Sequence, residues 1–308
     1  MSPLRIGTRG SLLATWQAEF VRRQIFQLAG VESEIVVIKT SGDKLAQAPL
    51  TEIGGKGIFI KELEDALLSD SVDVAVHSVK DIPTQTPGGL SFPAVCRRDD
   101  VRDCLVSSDG ATLVHLRYGA RVGTGSLRRQ AQLRHLRPDL DVRDLRGNVD
   151  TRLRKVERGE LDAVVLAKAG LDRLDCAHRI SEILSAEVCM PAVGQGAIAA
   201  ECRAADSACA AILEKLDDAE TRAAIVAERA LLSALQGGCQ VPLGAWARLE
   251  RGELVMDACV CSADGGQYLK ERVSGSAEEP KQLGARMAKL LLEAGAESIL
   301  EDVSRQRG

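Results

Sequence analysis

Aromatic residues are scarce: four Phe, two Trp and two Tyr make up 3% of the 308 residues. Cores must therefore be built from Ala, Leu, Val and Ile, and the stacking platforms used by single-stranded nucleic-acid binders have little to form them. No stretch approaches the roughly 18 uninterrupted apolar residues of a membrane helix, and the opening MSPLRIGTRG lacks the apolar run of a signal peptide. The expectation is a cytoplasmic protein without membrane contact. Nine cysteines are present but none forms a CxxC pair, the closest spacing being Cys259 and Cys261, so no metal is expected. Most should be reduced, buried thiols acting as small apolar residues.

The length is about twice that of a typical domain, which predicts two or three compact units. An apolar share of 45% and a charged share of 27% fit a globular chain and exclude a disordered one. Net charge is −4, but unevenly spread: from Arg97 to Arg179 sixteen Arg and two Lys face thirteen acidic residues, +5 in that stretch. Arginine outnumbers lysine there, and its fork suits bidentate recognition of carboxylate or phosphate. Mixed-charge, solvated helix faces are the competing reading.

Short apolar runs alternate with helical patterns through the first two thirds, the mark of α/β architecture. Strands are predicted at Leu4–Thr8, Ser33–Thr40, Val72–His77, Cys104–Ser107, Arg121–Gly123, Asp141–Leu145 and Leu161–Ala167. Helices are predicted at Ser11–Leu28, Leu127–Leu136 and Val149–Arg158. RIGTRGSL from Arg5 is echoed by RVGTGSLRR from Arg121, each running strand, Gly-Thr, Ser-Leu, helix. Two related domains are expected, each with a helix start where backbone N–H groups and the dipole favour an anion. From Ala219 the pattern changes to a long helix ending at Gly237-Gly238, then strands from Leu243 to Val273, with turns at Arg251-Gly252 and Asp264-Gly265-Gly266, and a final helix near Pro280. The polar stretch Ser41–Gly57 is either a lid or a plain surface loop.

Three constellations carry candidate chemistry. In HSVKDIP, His77 to Pro83, a strand ends and Ser78, Lys80 and Asp81 follow it, where open α/β sheets bind ligands. Alternatively Asp81 merely caps the turn, and His77 reads as a packed histidine. In GTGSLRRQ from Gly123, Arg128 and Arg129 occupy a helix's first turn, where cations are disfavoured unless an anion is near. Arg146 and Arg152, in DLRGNVDTRL from Asp144, can face the same mouth. Phosphate, nucleic acid or a polycarboxylate would satisfy this group. In GGCQVP, Gly237 to Pro242, Cys239 sits on a tight loop as an available nucleophile or, by the base rate for a lone cysteine, in a structural role.

TRGSLLATWQ from Thr8, GGKGIFIKELE from Gly54, HSVKDIP, GTGSLRRQ, LRGNVDTRL, PAVGQGA from Pro191 and ERALLSALQGGCQVP from Glu228 occur in the order and spacing of the hydroxymethylbilane synthases, also called porphobilinogen deaminases. The chain resembles that family over nearly its whole length. The resemblance implies two periplasmic-binding-protein-like lobes around a cleft plus a C-terminal α+β domain: residues 1–96 and 196–215, then the Arg-rich 97–195, then 219–308. It implies a monomeric transferase of tetrapyrrole (heme) biosynthesis, acting on porphobilinogen with no nucleic-acid partner. Four porphobilinogen molecules would be deaminated and joined head-to-tail on a dipyrromethane cofactor, releasing linear hydroxymethylbilane. By the same resemblance Cys239 carries the cofactor through a thioether and Asp81 is catalytic. Arg9, Ser11, Ser78, Lys80, Thr124, Ser126, Arg128, Arg129 and Arg146 would bind cofactor, and Arg146, Arg152, Arg173 and Gln195 substrate. Similar sequences commonly read GTSSLRR, whereas here position 125 is glycine.

A two-lobed anion-binding protein without catalysis predicts no covalent adduct. A nucleic-acid binder predicts steeply salt-dependent association.

Overall fold

A computed structural model describes residues 3–39, 60–235 and 241–305. Its chain forms two compact units, Met1–Asp99 with Gly196–Arg222, and Asp100–Gln195 with Ala223–Gly308. The first unit begins with β1 (Leu4–Arg9), α1 (Leu12–Ala29), β2 (Ser33–Ile38), α2 (Lys61–Leu68), β3 (Val74–Ser78) and β4 (Leu90–Val95). The second holds β5 (Asp103–Ser107), β6 (Arg121–Gly123), α3 (Leu127–Leu136), β7 (Asp141–Arg143), α4 (Val149–Glu157), β8 (Ala163–Ala167), α5 (Lys168–Arg173) and β9 (Glu182–Leu184). The chain returns for β10 (Ile198–Arg203) and α6 (Ser207–Leu213). Then α7 (Ala219–Ala234) leads to β11 (Leu243–Glu250), β12 (Glu253–Cys261), β13 (Tyr268–Gly275), α8 (Pro280–Glu293) and α9 (Ala296–Arg305).

The two large sheets share one topology. In the order β2-β1-β3-β10-β4 the first three strands run parallel and β10 runs against both neighbours. In β7-β6-β8-β5-β9 the first three are again parallel and β5 is the reversed strand. Strands β1 and β6, which carry the echoed RIGT and RVGT segments, occupy the same place in the two sheets, and each feeds a helix. In each sheet the reversed strand begins within a few residues of the point where the chain enters the unit. That makes the fourth position of both sheets non-local in sequence.

Alternation fixes the faces of the second sheet. Leu105, Ala163 and Val165 belong to one core, and Cys104, Val106, Val164 and Leu166 to the other. Successive side chains point to opposite faces, so β8 and the Cys104–Val106 middle of β5 are apolar because both faces are covered. Leu133 of α3 is 1% exposed in the first of these cores; truncation to Ala should cost about 2–5 kcal/mol.

The remaining sheet, β11-β12-β13, is an antiparallel meander. Arg251 and Gly252 both take positive φ in its first turn, and Gly265 does so in the second. Its inner face packs on Ala227 and Leu231 of α7 and on Leu283, Met287 and Leu291 of α8. Gly295, at φ 103°, separates α8 from α9, so the C-terminus is two helices where one is predicted from sequence. No helix among the described residues is long and apolar enough to cross a membrane.

Candidate functional site

In the first unit, β1 and β3 are parallel neighbours, so Arg9 and Ser78 close adjacent strands at one edge of the sheet. Ser11 is the N-cap of α1, its Oγ accepting from the Ala14 N–H at 3.2 Å. The buried Thr8 donates its hydroxyl to the Ala14 carbonyl at 3.0 Å, tying strand to helix. Gln17 of α1 donates to Ser78 Oγ at 2.7 Å and anchors the end of β3. A single 3-10 turn, Val79–Asp81, follows directly and carries Lys80 and Asp81 at the same edge. The turn is closed by the Ile82 N–H on the Val79 carbonyl at 3.1 Å, no side chain caps it, and Asp81 lies exposed. His77 is a packed histidine: it is 4% exposed, with Nε2 3.0 Å from Glu201 Oε2 and its ring edge-on to Phe92.

In the second unit the matching edge is built by β6, β7 and β8. Thr124 is fully buried and extends the β6–β7 pairing by donating its N–H to the Arg143 carbonyl at 3.0 Å. Its Oγ1 accepts from the Ser126 N–H at 3.3 Å. Ser126 stands at the N-cap of α3, yet its side chain makes no capping bond, unlike Ser11. The loop after β7 brings Arg146 to the same edge, with Nε 3.7 Å from Asp144 Oδ2. Arg152, in the first turn of α4, folds back to donate to the Gly147 carbonyl at 2.8 Å. Arg173 is buried at the end of α5, which follows β8.

Arg128 and Arg129 face inward. Both are about 95% buried, and they share one carboxylate, that of Asp103: Arg128 Nη2 lies 2.8 Å from Oδ2 and Arg129 Nη2 2.6 Å from Oδ1. The anion that the start of α3 demands is thus supplied by the chain itself, from the first residue of β5. Gln195 donates to Asp103 Oδ1 at 2.8 Å and to the Val101 carbonyl at 2.7 Å. Arg128 also donates to the Met190 carbonyl, and Arg129 to the Val165 carbonyl at 3.2 Å. Burial by itself would raise the Asp103 pKa, but the guanidiniums of Arg128 and Arg129 outweigh it and hold the carboxyl well below the usual carboxylate range. Burial, then Asp103, pushes the Cys189 thiol up to about 12. Two cations against one anion leave an excess of positive charge in this buried cluster. The Nε atoms of Arg128 and Arg129 are buried there without a hydrogen-bond partner.

Asp103, Gln17 and Glu228 were not singled out in the sequence. Glu228, fully buried on α7, accepts the Gly194 N–H at 2.7 Å and the Ala247 N–H at 2.8 Å, joining the PAVGQGA segment to β11. Both Gln17 and Glu228 lie inside motifs quoted above, so motif membership was the available signal; Asp103 stands in an ordinary mixed-charge run. Cys239, the Gly237-Gly238 helix end, the Ser41–Gly57 stretch and most of GGKGIFIKELE lie outside the described residues. Eight described cysteines are free thiols, seven of them buried.

Residues 4–211 match the family model "Porphobilinogen deaminase, dipyromethane cofactor binding domain", and residues 223–293 match "Porphobilinogen deaminase, C-terminal domain". The chain is 50% identical over 300 residues to a porphobilinogen deaminase of Syntrophotalea carbinolica, covering 97% of this chain and 95% of that one. It is 47% identical over 301 residues to a porphobilinogen deaminase of Trichlorobacter lovleyi, covering 97% and 96%. Among solved structures, a periplasmic substrate-binding protein from Coxiella burnetii aligns at 15% identity and a TM-score of 0.42, over 69% of this chain and 91% of that one.

Proposed function

The chain belongs to the porphobilinogen deaminase family, and we propose on that premise how its own residues hold a covalent dipyrromethane and extend it. The enzyme deaminates four porphobilinogen molecules and joins them head-to-tail into linear hydroxymethylbilane. The observation that carries the assignment of sites is the Arg128–Arg129–Asp103 cluster. Its uncompensated positive charge and two partnerless Nε atoms are what a carboxylate-bearing group relieves. A dipyrromethane, with an acetate and a propionate on each ring, therefore fits the residues present.

In this reading Cys239 holds the cofactor through a thioether. When bound, the cofactor supplies the free pyrrole α-carbon at which each new unit is joined. Arg9, Ser11, Ser78, Lys80, Thr124, Ser126, Arg128, Arg129 and Arg146 bind cofactor carboxylates. Arg146, Arg152, Arg173 and Gln195 serve the incoming substrate. Asp81 accepts the pyrrole N–H groups and opposes the positive charge that develops on the ring nitrogens as ammonia leaves. An exposed carboxylate that caps nothing in its own turn is available for that role. Once substrate excludes water around it, a fixed negative charge acts as an oxyanion hole does with the sign reversed. We further propose three domains, residues 1–96 with 196–215, 97–195 and 219–308, in a monomeric cytoplasmic enzyme.

Intact-mass measurement of the purified chain tests the reading: two pyrrole rings should be added, and peptide mapping should put them on Cys239. An unmodified mass in an active preparation, or an adduct on another cysteine, would overturn it.

A further inference from the structure

Gly125, in the turn between β6 and α3, does not take a left-handed backbone. Torsion therefore does not call for glycine there, in contrast to Gly147 at φ 102°. Space does: a Cβ on Gly125 would lie 2.5 Å from the Leu145 carbonyl oxygen. Real Cβ atoms do not come that close, and the obstacle is backbone, which cannot swing aside as a side chain can.

Both partners are pinned. Thr124 is buried and bonded through its N–H to the Arg143 carbonyl. The Leu145 side chain is 2% exposed, in the core with Leu153 and Val164. The two segments are thus joined by a hydrogen bond at 124 and 143 and pressed together at 125 and 145. Arg146 is the next residue, and Ser126 follows Gly125, its hydroxyl unused as a cap for α3. We infer that Gly125 is a positioning residue that sets how close Arg146 stands to the Thr124–Ser126 turn, so that Arg146 meets a substrate carboxylate directly beside the turn that holds the cofactor. This rests on the reading above that Arg146 binds substrate. A serine at this position, as in GTSSLRR sequences, requires the Leu145 carbonyl to retreat and Arg146 to go with it.

The test compares Gly125→Ala and Gly125→Ser with Arg146→Gln. Gly88→Ala serves as a control, because a Cβ there meets nothing within 4 Å. Melting curves establish that both Gly125 variants are folded, and intact mass that they are loaded, before KM is compared. The KM for porphobilinogen should rise about tenfold, as for one weakened charge-assisted hydrogen bond, with turnover within about threefold of the parent. Crystal structures of the variants should show the 125-to-145 separation widened by roughly half an ångström or more. If Arg146→Gln raises KM while both Gly125 variants keep the parent KM or the parent separation, the inference is wrong. If Arg146→Gln itself leaves KM unchanged, the substrate-binding reading of Arg146 fails and the inference falls with it.

Discussion

Replacing Asp103 by Asn keeps the size of the side chain and removes the one negative charge between two buried arginines. Asp103 is fully buried, and the two guanidiniums it holds are 4% and 5% exposed. After the change, the described acceptors left to them are neutral: the Met190 carbonyl and Cys189 Sγ for Arg128, the Val165 carbonyl and Gln195 Oε1 for Arg129. Removing one partner of a buried ion pair typically costs about 3–5 kcal/mol, because a charge stays behind without compensation. Here two charges stay behind, so a loss of about 4 kcal/mol or more is expected, on the order of a 10 °C fall in Tm. The folded-state pKa of Asp103 is depressed, so its contribution is present above the ordinary carboxylate range and lost progressively as pH falls from that range through a value well below it. The gap between parent and variant in urea titrations should therefore stay constant from pH 8 down to about pH 5 and narrow below it. A variant within about 1 kcal/mol of the parent, with both arginines in place in its crystal structure, would refute the charge accounting for this cluster.

Asp81→Asn should keep the cofactor attached yet lose about 3 kcal/mol of transition-state stabilisation, on the order of a hundredfold in turnover, with KM far less affected; near-normal turnover in a loaded protein would leave Asp81 without a catalytic role. Arg128→Leu or Arg129→Leu should impair cofactor assembly, seen as unloaded protein by intact mass, while Arg173→Leu should give a loaded but slow enzyme; a fully loaded, active Arg128 variant would contradict the assignment. Burial pushes the thiols of Cys104, Cys189 and Cys261 to about 12 and that of Cys259 to about 11, so at pH 8 about one in a thousand or fewer is ionised. Iodoacetamide should therefore spare these four in the native protein, and rapid labelling of any of them would show the burial to be wrong.

Most secondary structure was readable from periodicity. The strand at Arg121–Gly123 and the helix at Leu127–Leu136 have the predicted ends, because apolar spacing and helix-start residues act within a few positions of themselves. The Arg5 and Arg121 echo also spoke truly of topology: both strands take the same place in equivalent sheets. Periodicity missed β4, β9, β10, α2, α5 and α6, mostly short or edge elements, and ran α8 and α9 together across Gly295. Residue type and motif order were enough to point to Cys239, Asp81 and the arginines as candidates, since each chemistry requires a thiol, a carboxylate or a fork of N–H donors.

What the linear chain could not specify was which charges meet. Arg128 and Arg129 looked poised for an outside anion, yet their first partner is Asp103, on a strand that stands fourth in its sheet and runs against β8. Likewise the closeness of Gly125 to Leu145 exists only once β6 and β7 pair. Hydrophobic alternation is a local property and is written into neighbouring residues. The partner of a charge and the space beside a glycine are set by sheet order, which brings together segments that the sequence keeps apart.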